Sequence, residues 1–319
     1  MKAYHIYTSG EAPQLVNLPK GDPAEGEIRL RITACGLNFA DLLMIKGKYQ
    51  DTPQAPFTLG MEVAGIVDAH GPGVSEPAIG TRVALFAGQG GLAEYGCFPV
   101  ERAIPLPDNM SEVDAAGFQI AYGTSHLALD YKARLQPNET LLVLGAAGGV
   151  GLTAVEIGKV MGAKVIACAR GPEKLEIAKA YGADHVIDAT KEDIRDVVKS
   201  LGGADVVYDP VGGEQFTAAF RATNPDGRLL AIGFASGDVP PIPANHMLVK
   251  NLTVIGMYWG GYLKFNAKAL TDSMAQLFAW YSEGKIKPHV SETFPLDQVA
   301  DGLDMLKSRK STGKVVITI

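Results

Sequence analysis

The sequence predicts an α/β fold: a doubly wound parallel sheet inserted into a β-rich second domain. Three observations predict it. Thr140–Lys174 reads as one strand–glycine turn–helix–strand unit. Six short apolar runs, near 141–145, 164–169, 185–188, 205–209, 228–233 and 252–257, alternate with helical segments, the rhythm of a doubly wound parallel sheet. On either side that rhythm is absent, and the first 120 residues are β-rich. The expected domains are therefore 1–120 with 262–319, and 121–261.

In the first domain, Met1–Tyr7, Glu27–Ala34, Gly65–Ala69 and Thr81–Phe86 read as short strands. Gly21-Asp22-Pro23, Gly71-Pro72-Gly73 and Pro105-Leu106-Pro107 are the turn signals between them. Asn38–Lys46 suits a short helix. Ser111 is an N-cap with Asp114 at N3, opening a helix expected to continue through Tyr122 towards Asp130. In the second domain the link Gly237–Asn251 holds Pro240, Pro241 and Pro243 and is not expected to be helical. Beyond residue 262, Lys268–Ser282 reads as a helix, Val290–Pro295 as extended, Leu296–Ser308 as a helix and Lys314–Ile319 as a closing strand that returns to the first domain.

The most informative stretch lies within Thr140–Lys174. Leu141–Gly145 is continuously apolar, as a strand buried on both faces requires. Leu152–Met161 has helical spacing and stops at Gly162. Between them stands Ala146-Ala147-Gly148-Gly149-Val150-Gly151, a G-x-G-x-x-G fingerprint with its first glycine replaced by alanine. Such a turn lets backbone approach a pyrophosphate, and the helix start offers it unpaired N–H groups. Ala147, Gly148, Gly149 and Val150 are thus the expected phosphate cradle. An NAD site expects Asp or Glu at the end of the second strand, about 20 residues past the glycines, for the ribose 2′-hydroxyl. Here Arg170 stands there, with Lys174 one helical turn on. A guanidinium pairs bidentately with a 2′-phosphate, so the expected cofactor is NADPH.

Composition excludes other classes. The net charge is −6 and no basic run reaches five residues, so nucleic acid is not a favoured partner. No apolar run reaches the length of a membrane span, and the N-terminus carries no secretory h-region. Cys35, Cys97 and Cys168 are scattered and read as reduced thiols of a cytoplasmic protein.

Several stretches together carry a family resemblance: Ala34–Asp41, Leu59–Gly65, Gly145–Gly151, Tyr208–Gly212 and Ser308–Lys314. End to end, the chain resembles the zinc-free quinone oxidoreductase (zeta-crystallin-like) branch of the medium-chain dehydrogenase/reductase superfamily. The resemblance implies a GroES-like catalytic domain interrupted by a Rossmann domain, with the ligand in the cleft, and a homodimer formed through the last Rossmann strand. Two positions depart from the pattern: Glu156 stands where Gln is usual, and Ala189 where a tyrosine often lies near the adenosine.

Zinc alcohol dehydrogenases of the superfamily carry Cys-His-x-Asp and Gly-His-Glu where this chain has Asn38-Phe39-Ala40-Asp41 and Gly60-Met61-Glu62. Neither thiolate nor imidazole is available, and the four-cysteine structural lobe is missing, so no metal site is expected. Zinc polarises a carbonyl by several kcal/mol as a Lewis acid. Without it, hydride transfer favours an acceptor that is already electrophilic: a quinone, or a C=C conjugated to a carbonyl. The charge that develops on its oxygen needs hydrogen-bond donors.

The resemblance places Asn38 and Asp41 in the catalytic cleft, Asn38 towards the nicotinamide ribose or the substrate oxygen. Helix capping is the plain alternative for both. Tyr49 matches a substrate-side tyrosine, with a packing tyrosine on a loop as the plain alternative. Thr124 matches a threonine that holds nicotinamide, with a helix-interior threonine bonding its own backbone as the alternative. Pro210, Ile232, Gly233 and Phe234 follow strands at their carboxyl ends, where open α/β sheets bind ligands. Met257-Tyr258-Trp259 closes the last strand, and Met257 and the aromatic pair after it can line a pocket for a flat acceptor; a dimer or core contact is the plain alternative. Arg309 matches a basic residue near the cofactor phosphates. His126 reads as structural. The leading expectation is an NADPH:quinone oxidoreductase. An enone or enoyl reductase on the same scaffold is the alternative, and an NADPH-binding protein of weak turnover is the alternative from another class.

Overall fold

The computed structural model describes Met1–Ile319. The chain begins with β1 (Lys2–Ile6) and β2 (Gln14–Asn17), then β3 (Glu27–Leu37), α1 (Phe39–Ile45), β4 (Phe57–Thr58), β5 (Glu62–His70), β6 (Arg82–Phe86), β7 (Tyr95–Pro99), β8 (Ile104–Pro105) and α2 (Glu112–Ala116). β1 pairs with β2 and β4 in a small sheet. β2, β4 and β7 had no clear sequence signal: they are short and half-exposed, and distant partners define them. Ser111 caps α2 by accepting from the Asp114 amide, as the sequence indicates. The helix does not continue to Tyr122. It ends at Gly117, and a separate α3 (Gln119–His126) follows, closing in a π-helical turn over Leu127–Lys132.

Next come β9 (Thr140–Leu144), α4 (Gly149–Val160), β10 (Lys164–Ala169), α5 (Pro172–Ala180), β11 (His185–Asp188), α6 (Ile194–Ser200), β12 (Ala204–Asp209), α7 (Gly213–Ala222), β13 (Thr223–Ala231), α8 (Ala244–Lys250) and β14 (Thr253–Gly256). The six strands form one parallel sheet in the order β11-β10-β9-β12-β13-β14. The order reverses between β9 and β12, the switch point at which doubly wound sheets bind ligands beyond their carboxyl ends. Leu142, Leu144, Ile166, Val207 and Leu229 are buried in its core. The proline-rich link does hold a helix, α8. Its prolines all precede it, Pro243 sits at the N-cap, and proline is harmless before a helix's first amides.

α9 (Tyr262–Phe265) and α10 (Ala267–Ser282) follow, then β15 (Val290–Pro295), α11 (Val299–Lys307) and β16 (Lys314–Thr318). The chain divides into two compact units, Met1–Ile120 with Pro288–Ile319, and Ala121–Lys287. The return therefore comes at Pro288 and not at residue 262. α10 stays with the second unit, where Ser273 hydrogen-bonds His126 at 2.9 Å and Trp280 meets the same imidazole edge-on. In the first unit β16 pairs antiparallel with β3, giving a sheet of order β15-β16-β3-β5-β6-β8, with β7 also on β3. No helix is long and apolar enough to cross a membrane.

Candidate functional site

In the second unit the candidate residues gather along one edge, the carboxyl ends of the parallel strands. The turn after β9 is tight. The Gly148 amide donates to the Gly145 carbonyl at 2.9 Å, and a Cβ on Gly151 would lie 2.2 Å from that same oxygen. Gly151 is therefore fixed by internal packing. Gly148 is different. It is exposed, its φ is −81°, and a Cβ there would meet only the Gly145 carbonyl, at 3.4 Å. The fold does not need glycine at 148, whereas a phosphate approaching the backbone there would. No side chain caps α4, so the amides at Gly149 and Val150 stand at a helix start whose dipole would favour an anion. Ala147 is buried beneath the turn.

Arg170 is exposed at the end of β10, and Lys174 lies in the first turn of α5. Beside them the Asp188 carboxylate accepts from the Gly171 amide at 3.3 Å and from the amide and hydroxyl of Thr190 at 3.0 and 2.7 Å, bonds that hold its pKa down. After β12, Asp209 accepts from the Val211 and Gly212 amides at 2.7 and 2.9 Å and so shapes the Pro210 loop. Burial pushes the Asp209 pKa up. The Ile232 and Gly233 amides both turn back to the Asp209 carbonyl, and Phe234 is 43% exposed beyond them. Thr124, Met257 and Trp259 are buried. The Trp259 indole packs on α3 so closely that a Cβ at Gly123 would stand 2.6 Å from its Nε1. Trp259 thus backs the helix that carries Thr124, and Met257 is buried two residues before it.

In the first unit Asn38 is the N-cap of α1 and forms a capping box with Asp41, whose Oδ2 accepts from the Asn38 amide at 2.7 Å. Asp41 is fully buried, and no donor reaches its Oδ1. Burial pushes its pKa up to about 7, against the Asn38 amide and Lys314, which pull it down. The side chain of Asn38 belongs to a network that the sequence did not reveal. Its Nδ2 donates to the Gly36 carbonyl at 3.3 Å and to Glu62 Oε1 at 3.0 Å. Its Oδ1 accepts from Lys314 Nζ at 2.8 Å. Lys314 Nζ also donates to the Leu37 carbonyl at 2.9 Å and to Glu62 Oε1 at 2.6 Å, while Glu62 Oε2 accepts from the Ile120 amide at 3.0 Å. Both amide protons of Asn38 and all three ammonium protons of Lys314 are taken. Asn38 can therefore donate no further hydrogen bond.

The same network decides the fit of a metal. Where zinc dehydrogenases place a thiolate and an imidazole, this chain has Asn38, whose oxygen already holds the Lys314 ammonium, and Met61, buried in the apolar core. A cation beside Lys314 would be repelled, and the donors are an amide and a thioether; these residues do not fit zinc. No group of three or more His, Cys, Asp or Glu side chains comes together elsewhere.

Tyr49 follows α1 and is partly buried against the first unit's core. Arg309 is exposed just past α11, in a left-handed conformation with φ of 56°. His126 is buried, its Nδ1 lies 2.9 Å from the Ser273 hydroxyl, and desolvation lowers its pKa. Glu62 and Lys314 are the residues sequence reasoning missed. Their one available signal was a lysine opening Lys314–Ile319, a strand that is apolar over Val315–Ile317.

Two family models match the chain: an alcohol dehydrogenase GroES-like domain over residues 24–108, and a zinc-binding dehydrogenase over 149–279. The second match begins after the positions at which zinc ligands would be sought. A quinone oxidoreductase-like protein 2 homolog of Nematostella vectensis is 42% identical over 297 residues, covering 91% of this chain and 81% of that one. The chain belongs to the zinc-free quinone oxidoreductase branch of the medium-chain dehydrogenase/reductase superfamily. The quinone oxidoreductase of Thermus thermophilus, solved also in complex with NADPH, is similar with a TM-score of 0.90 and 34% identity over 100% of both chains. An NAD-dependent alcohol dehydrogenase is similar with a TM-score of 0.91 and 30% identity, again over 100% of both. The fold is thus shared with one neighbour crystallised with NADPH and with another named for NAD.

Proposed function

We propose that this chain is an NADPH:quinone oxidoreductase that reduces its acceptor without a metal. The observation that carries the reading is the Lys314-occupied Asn38 network, which fills the place where a Lewis acid would sit. The acceptor must then be electrophilic in itself, as a quinone is. NADPH, when bound, supplies a hydride from its nicotinamide ring. Arg170 and Lys174 pair with the 2′-phosphate. The Gly149 and Val150 amides hold the pyrophosphate, with Ala147 beneath them and Gly148 leaving room, and Arg309 adds charge towards the phosphates. Pro210, Ile232, Gly233 and Phe234 line the edge by backbone and shape. Thr124, backed by Met257 and Trp259, orients the nicotinamide.

Asn38 accepts from a ribose hydroxyl; its filled donors leave it no bond to give a developing oxyanion. Asp41 holds the Asn38 backbone and acts through it. Tyr49 is the phenol that donates to the substrate oxygen. The exposed edge of β14 is the surface for a homodimer, and the cytoplasm the compartment.

The test is NADPH oxidation with a panel of benzoquinones, naphthoquinones, enones and simple aldehydes. Quinones are expected to be the fastest. Enones ahead of quinones would transfer the reading to C=C reduction. Brisk turnover of simple aldehydes with none of quinones would refute it.

A further inference from the structure

Three buried hydroxyls meet beneath the glycine turn, and none of them belongs to the cradle itself. Ser125 Oγ, on α3, lies 2.9 Å from the Val150 carbonyl, 2.8 Å from Thr153 Oγ1 and 2.9 Å from the Tyr208 hydroxyl. Thr153 Oγ1, on α4, reaches the Val150 carbonyl at 3.0 Å and the Ala121 carbonyl at 3.1 Å. Tyr208, at the switch-point strand β12, is fully buried with Ser125 as the partner of its hydroxyl. Burial drives its pKa well up, so the phenol stays protonated and donates. An arrangement that gives each proton its own acceptor runs from Tyr208 to Ser125, from Ser125 to Thr153, and from Thr153 to the Ala121 carbonyl.

Valine, alanine and phenylalanine would fill the same space by packing alone. What directional bonds add is a fixed register between three elements. Each hydroxyl also sits close in sequence to a residue of the proposed cofactor edge. Ser125 follows Thr124, Thr153 lies one turn past Val150, and Tyr208 precedes Pro210 by two.

We infer that Tyr208, Ser125 and Thr153 are positioning residues that set the spacing between Thr124 and the first-turn amides of α4, and with it the distance the dinucleotide must span from nicotinamide to pyrophosphate. The inference rests on the cofactor reading above. A ligand that uses only the Arg170 end should not sense that spacing; one that spans it should.

The test measures binding of NADPH and of 2′-AMP to the full chain by calorimetry, in the wild type, Tyr208→Phe and Ser125→Ala. Thr223→Val is the control: it removes a buried hydroxyl that bonds the Ala219 carbonyl at 2.8 Å in the same unit, away from the edge. The expected result is NADPH weakened roughly five- to tenfold in both variants, the worth of one lost hydrogen bond. Binding of 2′-AMP should stay within about twofold, and Thr223→Val should lower the melting midpoint with NADPH binding unchanged. NADPH affinity unchanged in the folded variants overturns the inference while sparing the cofactor reading. Equal weakening of NADPH and 2′-AMP, or loss of cooperative unfolding in both variants, also overturns it, because the hydroxyls would then hold the fold in general. A wild type that binds no NADPH removes the cofactor reading and the inference with it.

Discussion

Replacing Glu156 by Gln should remove a fall in stability that accompanies rising pH between about 5 and 8. Glu156 is buried on α4, with the Tyr122 hydroxyl donating to its Oε2 at 2.5 Å and the Lys287 amide to its Oε1 at 2.7 Å. Burial outweighs those two bonds and pushes its pKa from 4.5 up to about 7. Below about 4.5 folded and unfolded chains both carry the proton. Between 4.5 and 7 only the folded chain does, so stability falls as pH rises, and above 7 the loss is complete. A difference of that size in proton affinity corresponds to about 3 kcal/mol, to be read as an order of magnitude. Glutamine has the same shape and no charge. Its oxygen can accept from the Lys287 amide and its nitrogen can donate to the Tyr122 oxygen once that hydroxyl turns. Near pH 5 the variant should therefore match the wild type, and near pH 8 it should be more stable by about 2–3 kcal/mol. Asp41 and Asp209 are raised by burial too and stay in both proteins, so the difference between the two profiles isolates Glu156. The assay is urea unfolding at a series of pH values. Parallel profiles, with the same fall in both proteins, would refute the reasoning.

The other expectations follow from single contacts. Arg170→Glu should weaken NADPH by more than about tenfold while leaving NADH nearly unchanged, since it swaps the 2′-phosphate's partner for a repelling charge; equal losses would remove that argument. Gly148→Val should fold, with a melting midpoint within about 4 °C of the wild type, yet bind NADPH at least about tenfold more weakly, because its Cβ clears the protein and fills the cradle. Calorimetry and a thermal scan read both quantities, and unchanged binding would contradict the role given to Gly148. Lys314→Met leaves the buried Glu62 carboxylate without its cationic partner and should cost about 3–5 kcal/mol in denaturant unfolding, largely recovered on adding Glu62→Gln. A cost below about 1 kcal/mol would mean that the network is not held by that pair. Dialysis against a chelator should leave quinone reduction unchanged, and elemental analysis finding zinc at one per chain would contradict the donor chemistry at Asn38 and Met61.

What could be read without a structure was what neighbouring residues specify together. The strand–turn–helix at Leu141–Met161 declares itself because apolar run, glycine turn and helical period are all local, and Arg170 is placed by counting along that unit. Capping is local too: Asn38 and Asp41, three residues apart, form the backbone bond that the plain reading allowed for them. Gly117 shows where such reading stops. A glycine is a helix stop signal in itself, and α2 does end there. What is not local is the packing that requires it, since a Cβ at that position would press on the Lys314 side chain at 3.3 Å, and Lys314 is supplied by the far end of the chain. β7 is similar: Tyr95–Pro99 has no alternation to reveal it and is a strand because β3 lies alongside. The role of Asn38 turns on the same distance in sequence. As a lone residue it could give or take a hydrogen bond, and both the ribose and the substrate oxygen were open to it. Lys314, 276 residues away, fills one side of its oxygen, and Glu62 and the Gly36 carbonyl take both amide protons. Only once those partners are counted does the amide become a pure acceptor, and a residue that can only accept must leave the stabilisation of a developing oxyanion to another group.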